Sequence, residues 1–334
     1  MKWYYAFIIV LILGCESPEP ELSVYSGNAF GTTYTIQLYT SELPDIEKGL
    51  DSVFYVVNKS VSTYMPDSDI SRINAGDSTV VVDKIFTDVF ELSSEVHKQS
   101  QGYFDPTIGV LRNAYGFGDV KPLEKIDSDV LDSLMQFVGF GKVNLTEANT
   151  IRKTLPEVYF DFNAVAKGYG IDCIGRYLES EGIKDYLVEL GGEILARGTH
   201  LSKEKLWTVG IESVDSEIGD RSYQETIQLS DQAMASSGNY RKFRIDSVTG
   251  QRYVHTLNPL TGSAEKSDVT SATIVAEDCA TADAYATACM AMGLSKAQQM
   301  LSQLGGVEAY LTYNDSLGVP KVYMTRGFKD LLSD

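Results

Sequence analysis

In EDCATADAYATACMAMG near the C-terminus, Asp283 and Thr287 lie four residues apart within a segment of strong helical character. That spacing puts a carboxylate and a hydroxyl on one helical face, about one turn apart, where they could share a hard cation such as magnesium. The same spacing also suits an Ala-rich core helix whose Asp and Thr sit at a solvated N-terminal turn. In DFNAVAKGYG, 161–170, an expected strand ends at Asp161 and a helix starts within a few residues. Such a corner presents main-chain N–H groups and a favourable dipole, and Lys167 adds a full positive charge, so a diphosphate could sit there. A plain junction with an exposed lysine fits equally well. GYFDPTIGVL, 102–111, gathers Tyr103, Phe104 and Asp105 between glycines. Such rings could stack on a flat heterocycle while the carboxylate takes its N–H groups, or the loop could simply bury its aromatics. In ASSGNYRKF and YVHTLNPLTG, Arg241 could meet a phosphate and His255 has the side chain best suited to proton abstraction near neutral pH. LGG at 190–192 allows close approach to the backbone, but a β-bulge explains it equally, and no chemistry is assigned to it.

These residues need elements to hold them. Ile46, Leu50, Val53, Phe54 and Val57 fall on one face of a helix expected over 45–59, and a second helix is expected over 85–99. GNAFGTTYTIQLYT reads as a strand pair or bent strand, and VYFDF as a strand leading into a helical pattern through Tyr177. YLVELGGEILARGT and LWTVGIES read as further strands. Helices and strands do not alternate regularly enough for a doubly wound sheet, so the fold class is α+β, with mostly antiparallel sheets packed against helices.

Composition narrows the chemistry. A net charge of −18 argues against a nucleic-acid partner, because phosphate binding draws on clustered Lys and Arg. An anionic ligand would need local positive help from a metal ion, a few placed basic residues or helix N-termini. The count of 3 histidines argues against a His-rich transition-metal site. Cys173, Cys279 and Cys289 show no C-x-x-C spacing and read as buried, inert thiols. At the N-terminus, Lys2 precedes an apolar run from Trp3 to Leu13, too short for the roughly 20 residues that span a bilayer. Gly14 directly before Cys15, followed by polar ESPEPE, resembles a bacterial lipoprotein box, in which Cys15 would be acylated.

Taken in order, FGTTYTI (30–36), VSTYMPDSDISRIN (61–74), GYFDPTIGVL, DFNAVAKGYGID, YLVELGGEILARG, ASSGNYRKF, HTLNPLTG and ADAYATACMAMG resemble the ApbE family, flavin transferases that attach FMN to proteins. The resemblance implies a T-fold-like architecture: residues 1–14 a lipoprotein signal peptide, 15–22 a tether, and 23–334 a single catalytic domain. It implies magnesium held by Asp283 and Thr287 with the carbonyls of Ala164 and Ala286. It implies FAD contacts at Phe30, Tyr64, Tyr103, Phe104, Asp105, Asp161, Lys167 and Leu257. His255 matches a histidine that assists proton transfer, with Asp283 the other candidate base. Phe30 replaces a common methionine, Asn163 and Ala164 replace a glycine-rich pair, and Asn258 stands where aspartate is frequent.

The reaction implied is attack by a threonine or serine hydroxyl on the FMN phosphorus of FAD, releasing AMP. Water in place of the hydroxyl would make the chain an FAD pyrophosphatase, and a flavin-binding lipoprotein without turnover is the third reading. The implied acceptors are periplasm-facing subunits of membrane redox pumps and other exported flavoproteins, met by an enzyme held at the membrane through its lipid anchor. TSAT, 270–273, loosely resembles the acceptor sequence, but the family has a strand there and a structural role is expected.

Overall fold

The computed structural model describes residues 19–41, 45–213, 222–239, 243–245, 252–264 and 266–333. The chain opens with a hairpin of β1 (Glu21–Ala29) and β2 (Thr32–Thr40). Phe30 and Gly31 at its tip have φ of 49° and 77°, the pair of positive angles that matches a tight turn to the twist of the strands. Helices α1 (Glu47–Val61), α2 (Asp69–Asn74), α3 (Lys84–Gln99), α4 (Gly109–Tyr115) and α5 (Ser128–Met135) follow. A small ladder of β3 (Val143–Leu145) and β4 (Ile151–Lys153) leads to the long helix α6 (Ala166–Ser180).

Next come β5 (Tyr186–Leu190), β6 (Glu193–Arg197), β7 (Trp207–Glu212), β8 (Tyr223–Leu229) and β9 (Gln232–Gly238). The short strands β10 (Phe243–Ile245) and β11 (Arg252–Val254) pair with each other before β12 (Val269–Ala276). Helices α7 (Cys279–Met292) and α8 (Leu294–Leu301), strands β13 (Glu308–Asn314) and β14 (Pro320–Met324), and helix α9 (Arg326–Asp330) close the chain.

Eight strands form the main sheet in the order β1-β2-β5-β6-β9-β12-β13-β14, every neighbour antiparallel. Alternation along each strand sends its side chains to two different layers. Ile36, Leu38, Val188, Leu190 and Leu195 pack against Ile171, Ile174 and Leu178 of α6. Their neighbours Tyr39, Leu187, Ile194, Met234 and Val275 pack against Trp207, Val209 and Ile211 of β7 and Ile227 and Leu229 of β8. The sheet is thus covered by helices on one face and by the β7–β8 hairpin on the other. Each fully buried aliphatic side chain contributes about 1.5–3 kcal/mol, so both faces are firmly held.

The two expected early helices are present, with ends shifted by one or two residues. VYFDF departs from expectation. It makes a single isolated bridge, Tyr159 to Ile108, rather than a strand. Its hydrogen bonds go elsewhere: the Asn74 amide accepts from Phe160 N at 2.8 Å and donates to Phe160 O at 2.9 Å, while Asp161 N donates to Pro106 O at 2.8 Å. One side chain therefore does for this segment what a neighbouring strand would do, and Val158, Phe160 and Phe162 are buried as expected of a core strand.

Candidate active site

The site forms where α6, α7 and the β5–β6 turn meet. Helix α7 is buried almost all round, with alanine at five of its eleven buried positions, so its backbone lies close to its neighbours. A Cβ at Gly168 of α6 would lie 2.4 Å from the Cys279 carbonyl oxygen, so only glycine permits this approach of α6 to α7. The Asp172 carboxylate caps the junction, accepting from Cys279 N at 2.8 Å and Ala280 N at 2.9 Å. Asp278 caps α7 as well, accepting from Thr281 N at 2.8 Å.

This close contact brings Lys167, Glu193 and Asp283 together. Lys167 Nζ lies 2.6 Å from Glu193 Oε1, and Asp283 Oδ2 accepts from Gly168 N at 3.3 Å. Glu193 and Asp283 are both buried, and each bears on the charge of the other. Burial, and then the charge of Glu193, hold the Asp283 carboxyl well above the usual carboxylate range. Burial alone would lower Lys167, but the charges of Glu193 and Asp283 outweigh it and raise it. Two carboxylates thus face one ammonium, an arrangement short of positive charge.

A cavity of about 580 Å³ opens from this cluster. Of the residues singled out in the sequence, Lys167, Asp283, Thr287, Ala164 and Asp161 line it. So do Tyr103, Phe104, Asp105, His255 and Leu257. Phe30, Tyr64 and Ala286 are not among its lining residues. Phe30 sits edge-on to Phe54 at 5.6 Å and fills the space a side chain at Gly170 would need. Tyr64 is 62% exposed beyond the end of α1, and Ala286 is buried within α7. Cys15 and Arg241 lie outside the described residues.

The two loop carboxylates at the cavity are already engaged by the protein. Asp105 accepts from Thr107 N at 2.8 Å, Thr107 Oγ1 at 2.6 Å and Phe140 N at 2.9 Å, with His97 Nδ1 at 3.6 Å. Asp161 accepts from Asn163 N at 2.8 Å and forms an ion pair with Arg112. Arg112, Glu189, Glu193 and Glu212, none of them anticipated, line it as well. A glutamate between the LGG turn and the apolar run of β6 is the one signal that could have drawn attention to Glu193, since acidic residues are rarely buried without partners. Gly191 and Gly192, given no chemistry above, make the β5–β6 turn with φ of 61° and 94° and border the cavity. Ser271 and Thr273 lie on β12, as the strand expectation for TSAT required, and also line it.

Among the described residues, no group of three or more His, Cys, Asp or Glu side chains is placed to hold a metal ion. A cation here would draw instead on one carboxylate, the Thr287 hydroxyl and main-chain carbonyls. That all-oxygen set fits magnesium, and the crowding of Asp283 by Glu193 is the charge imbalance a divalent ion relieves. Among the described residues, Cys173, Cys279 and Cys289 are unpaired thiols; Cys279 and Cys289 are buried, and burial pushes Cys289 up to about 12, as expected of inert thiols, whereas Cys173 is only partly buried, contrary to expectation.

The family model described as the ApbE family matches residues 30–311. The chain belongs to the ApbE family. An FAD:protein FMN transferase of Vibrio cholerae serotype O1 is 33% identical over 342 residues, covering 99% of each chain. One of Haemophilus influenzae is 31% identical over 307 residues, covering 88% of each. The structure of the Vibrio cholerae flavin transferase ApbE superposes with a TM-score of 0.82 at 32% identity, covering 94% of this chain and all of that one. The mixed α+β fold with its antiparallel sheet is thus an ApbE fold, and the Lys167–Glu193–Asp283 cluster lies inside the matched region.

Proposed function

We propose that this ApbE-family enzyme is a flavin transferase that cleaves FAD and attaches FMN through a phosphoester bond to a threonine or serine of an acceptor protein, releasing AMP. The observation that carries this reading is the presence of Lys167, Asp283 and Thr287 in the same cavity as Tyr103, Phe104 and Leu257. An ammonium and a carboxylate–hydroxyl pair suit a diphosphate, and the aromatic and aliphatic side chains suit an isoalloxazine ring.

Lys167, kept charged by Glu193, meets a diphosphate oxygen. Asp283, Thr287 and the carbonyls of Ala164 and Ala286 would hold magnesium, which when bound supplies positive charge to the diphosphate and the departing AMP. An imidazole nitrogen of His255 takes the proton from the acceptor hydroxyl as its oxygen bonds to the FMN phosphorus and the bond to the AMP oxygen breaks. Asp283 would direct its carboxylate oxygens at the cation rather than at that proton. Asp161 and Asp105, clamped by Arg112 and by Thr107 and Phe140, hold their loops in place and offer main-chain groups to the ligand. Phe30 acts through its packing on α6.

The enzyme works on the periplasmic side of the membrane, anchored through a lipid on Cys15, and its acceptors are exported flavoproteins such as redox-pump subunits. Full-length protein incubated with FAD, magnesium and such a subunit yields a covalently fluorescent subunit band and AMP in equal amounts. FMN and AMP released without any labelled protein would make the chain a pyrophosphatase instead. Mass spectrometry of the membrane-extracted protein reads the acylation of Cys15 directly.

A further inference from the structure

The cavity does not end at the helix-covered face of the sheet. It continues past the side-chain-free turn of Gly191 and Gly192 onto the opposite face, where Thr35, Glu189, Ser236 and Thr273 line it beneath the β7–β8 hairpin. Strand β7 borders this second lobe in an informative way. Thr208, Val209 and Gly210 are consecutive, so their side chains alternate between layers, yet all three line the cavity. A strand whose consecutive residues meet one space presents its edge to that space, not a face.

That edge is open. Strand β7 pairs on one side with β8, and the far edge of β8 is taken by the C-terminal residues, with Gln228 N donating to Leu331 O at 2.8 Å and Ser333 N to Thr226 O at 2.9 Å. Among the described residues, no strand pairs with the other edge of β7. An open edge next to a reaction centre is a template for an extended chain, which it binds through main-chain hydrogen bonds while alternate side chains enter the neighbouring space. The six residues of β7 span roughly 20 Å, enough for a segment of five or six residues.

We propose that the acceptor polypeptide binds as an added strand along the edge of β7 that faces the cavity at Thr208–Gly210, with the hydroxyl of its modified residue directed around the Gly191–Gly192 turn toward Lys167 and Asp283. This rests on the transferase reading above and supplies its missing partner site. The hydroxyl and carboxylate lining of the lobe complements the N–H groups and polar side chains of such a segment.

Hydrogen–deuterium exchange on the full-length protein with FAD and magnesium tests it. The probe is an exported redox-pump subunit that the enzyme labels in the assay above, its target threonine replaced by valine so that the complex persists. Amides of 207–212 are expected to exchange at least tenfold more slowly when the subunit is added, and to be unaffected by FAD alone. Protection at β1 or β14 with β7 unchanged overturns the proposal. So does protection of β7 by FAD alone, which would give the lobe to the adenosine half of the dinucleotide. If no subunit is ever labelled, the transferase reading itself fails; if labelling is normal and β7 stays unprotected, only the docking edge does.

Discussion

Asp283 shows how one residue can be both a stability problem and the centre of the site. Its carboxylate is buried against that of Glu193, with a single ammonium, Lys167, to offset them. Buried like charges are costly until a partner neutralises them, so the cation-free protein holds this pair under strain that a divalent ion relieves. The neutral, similarly shaped Asp283→Asn should therefore unfold at a higher temperature than the parent without magnesium. It should also lose the magnesium-induced rise that the parent shows, about 2.7 kcal/mol at a hundredfold excess over Kd, and its flavin transfer should fall at least about a hundredfold. Calorimetric scans with and without magnesium check this, and an undiminished magnesium shift in the variant would remove Asp283 from the cation site. The pairing of Asp283 with Thr287 was legible because both lie on one helix at a fixed spacing. Glu193 was harder to see, because it reaches them only through the contact of β6 with α6, which no local pattern encodes.

At the scale of elements, the decisive contact is α6 against α7, allowed by Gly168 and tied by Asp172. Burial raises the Asp172 carboxyl from its ordinary 3.8 to about 7, outweighing the two N–H groups that favour its charged form. The sign of the consequence follows from where the proton sits. Below 3.8 both folded and unfolded chains carry it; between 3.8 and about 7 only the folded chain does. The stability this group contributes is therefore complete at low pH and is lost as pH rises through that window, at up to about 1.4 kcal/mol per unit. Denaturant unfolding of the parent and of Asp172→Asn from pH 4 to 8 should show the parent losing ground to the variant up to about pH 7 and then holding level. A constant difference across the range would mean that Asp172 is charged throughout. Most elements were readable from periodicity, the α1, α3 and α6 patterns and the β1–β2 and β5–β6 pairs included. VYFDF misled because its alternation reports burial, which it has, while its hydrogen bonds are taken by Asn74, far away in the sequence.

For the whole molecule, the acidity was plain from composition, whereas the two-lobed cavity was not. That shape depends on the β7–β8 hairpin folding back over one face of the sheet while α6 and α7 cover the other, and neither strand signals where it will dock. The net charge of −18 has a kinetic consequence that the local site cannot cancel at a distance. A dinucleotide carrying a diphosphate approaches a like-charged protein, and only within the cavity does it meet Lys167 and Arg112. The Debye length shrinks from about 30 Å at 0.01 M to about 10 Å at 0.1 M ionic strength, so added monovalent salt hides the distant carboxylates before it touches the buried cluster. At fixed magnesium, the association rate of FAD should rise several-fold between 0.01 and 0.15 M potassium chloride, while the dissociation rate, set by buried contacts, should change much less. Stopped-flow quenching of flavin fluorescence measures both rates. A falling association rate would show that the positive groups at the cavity mouth, and not the protein's overall charge, govern the approach.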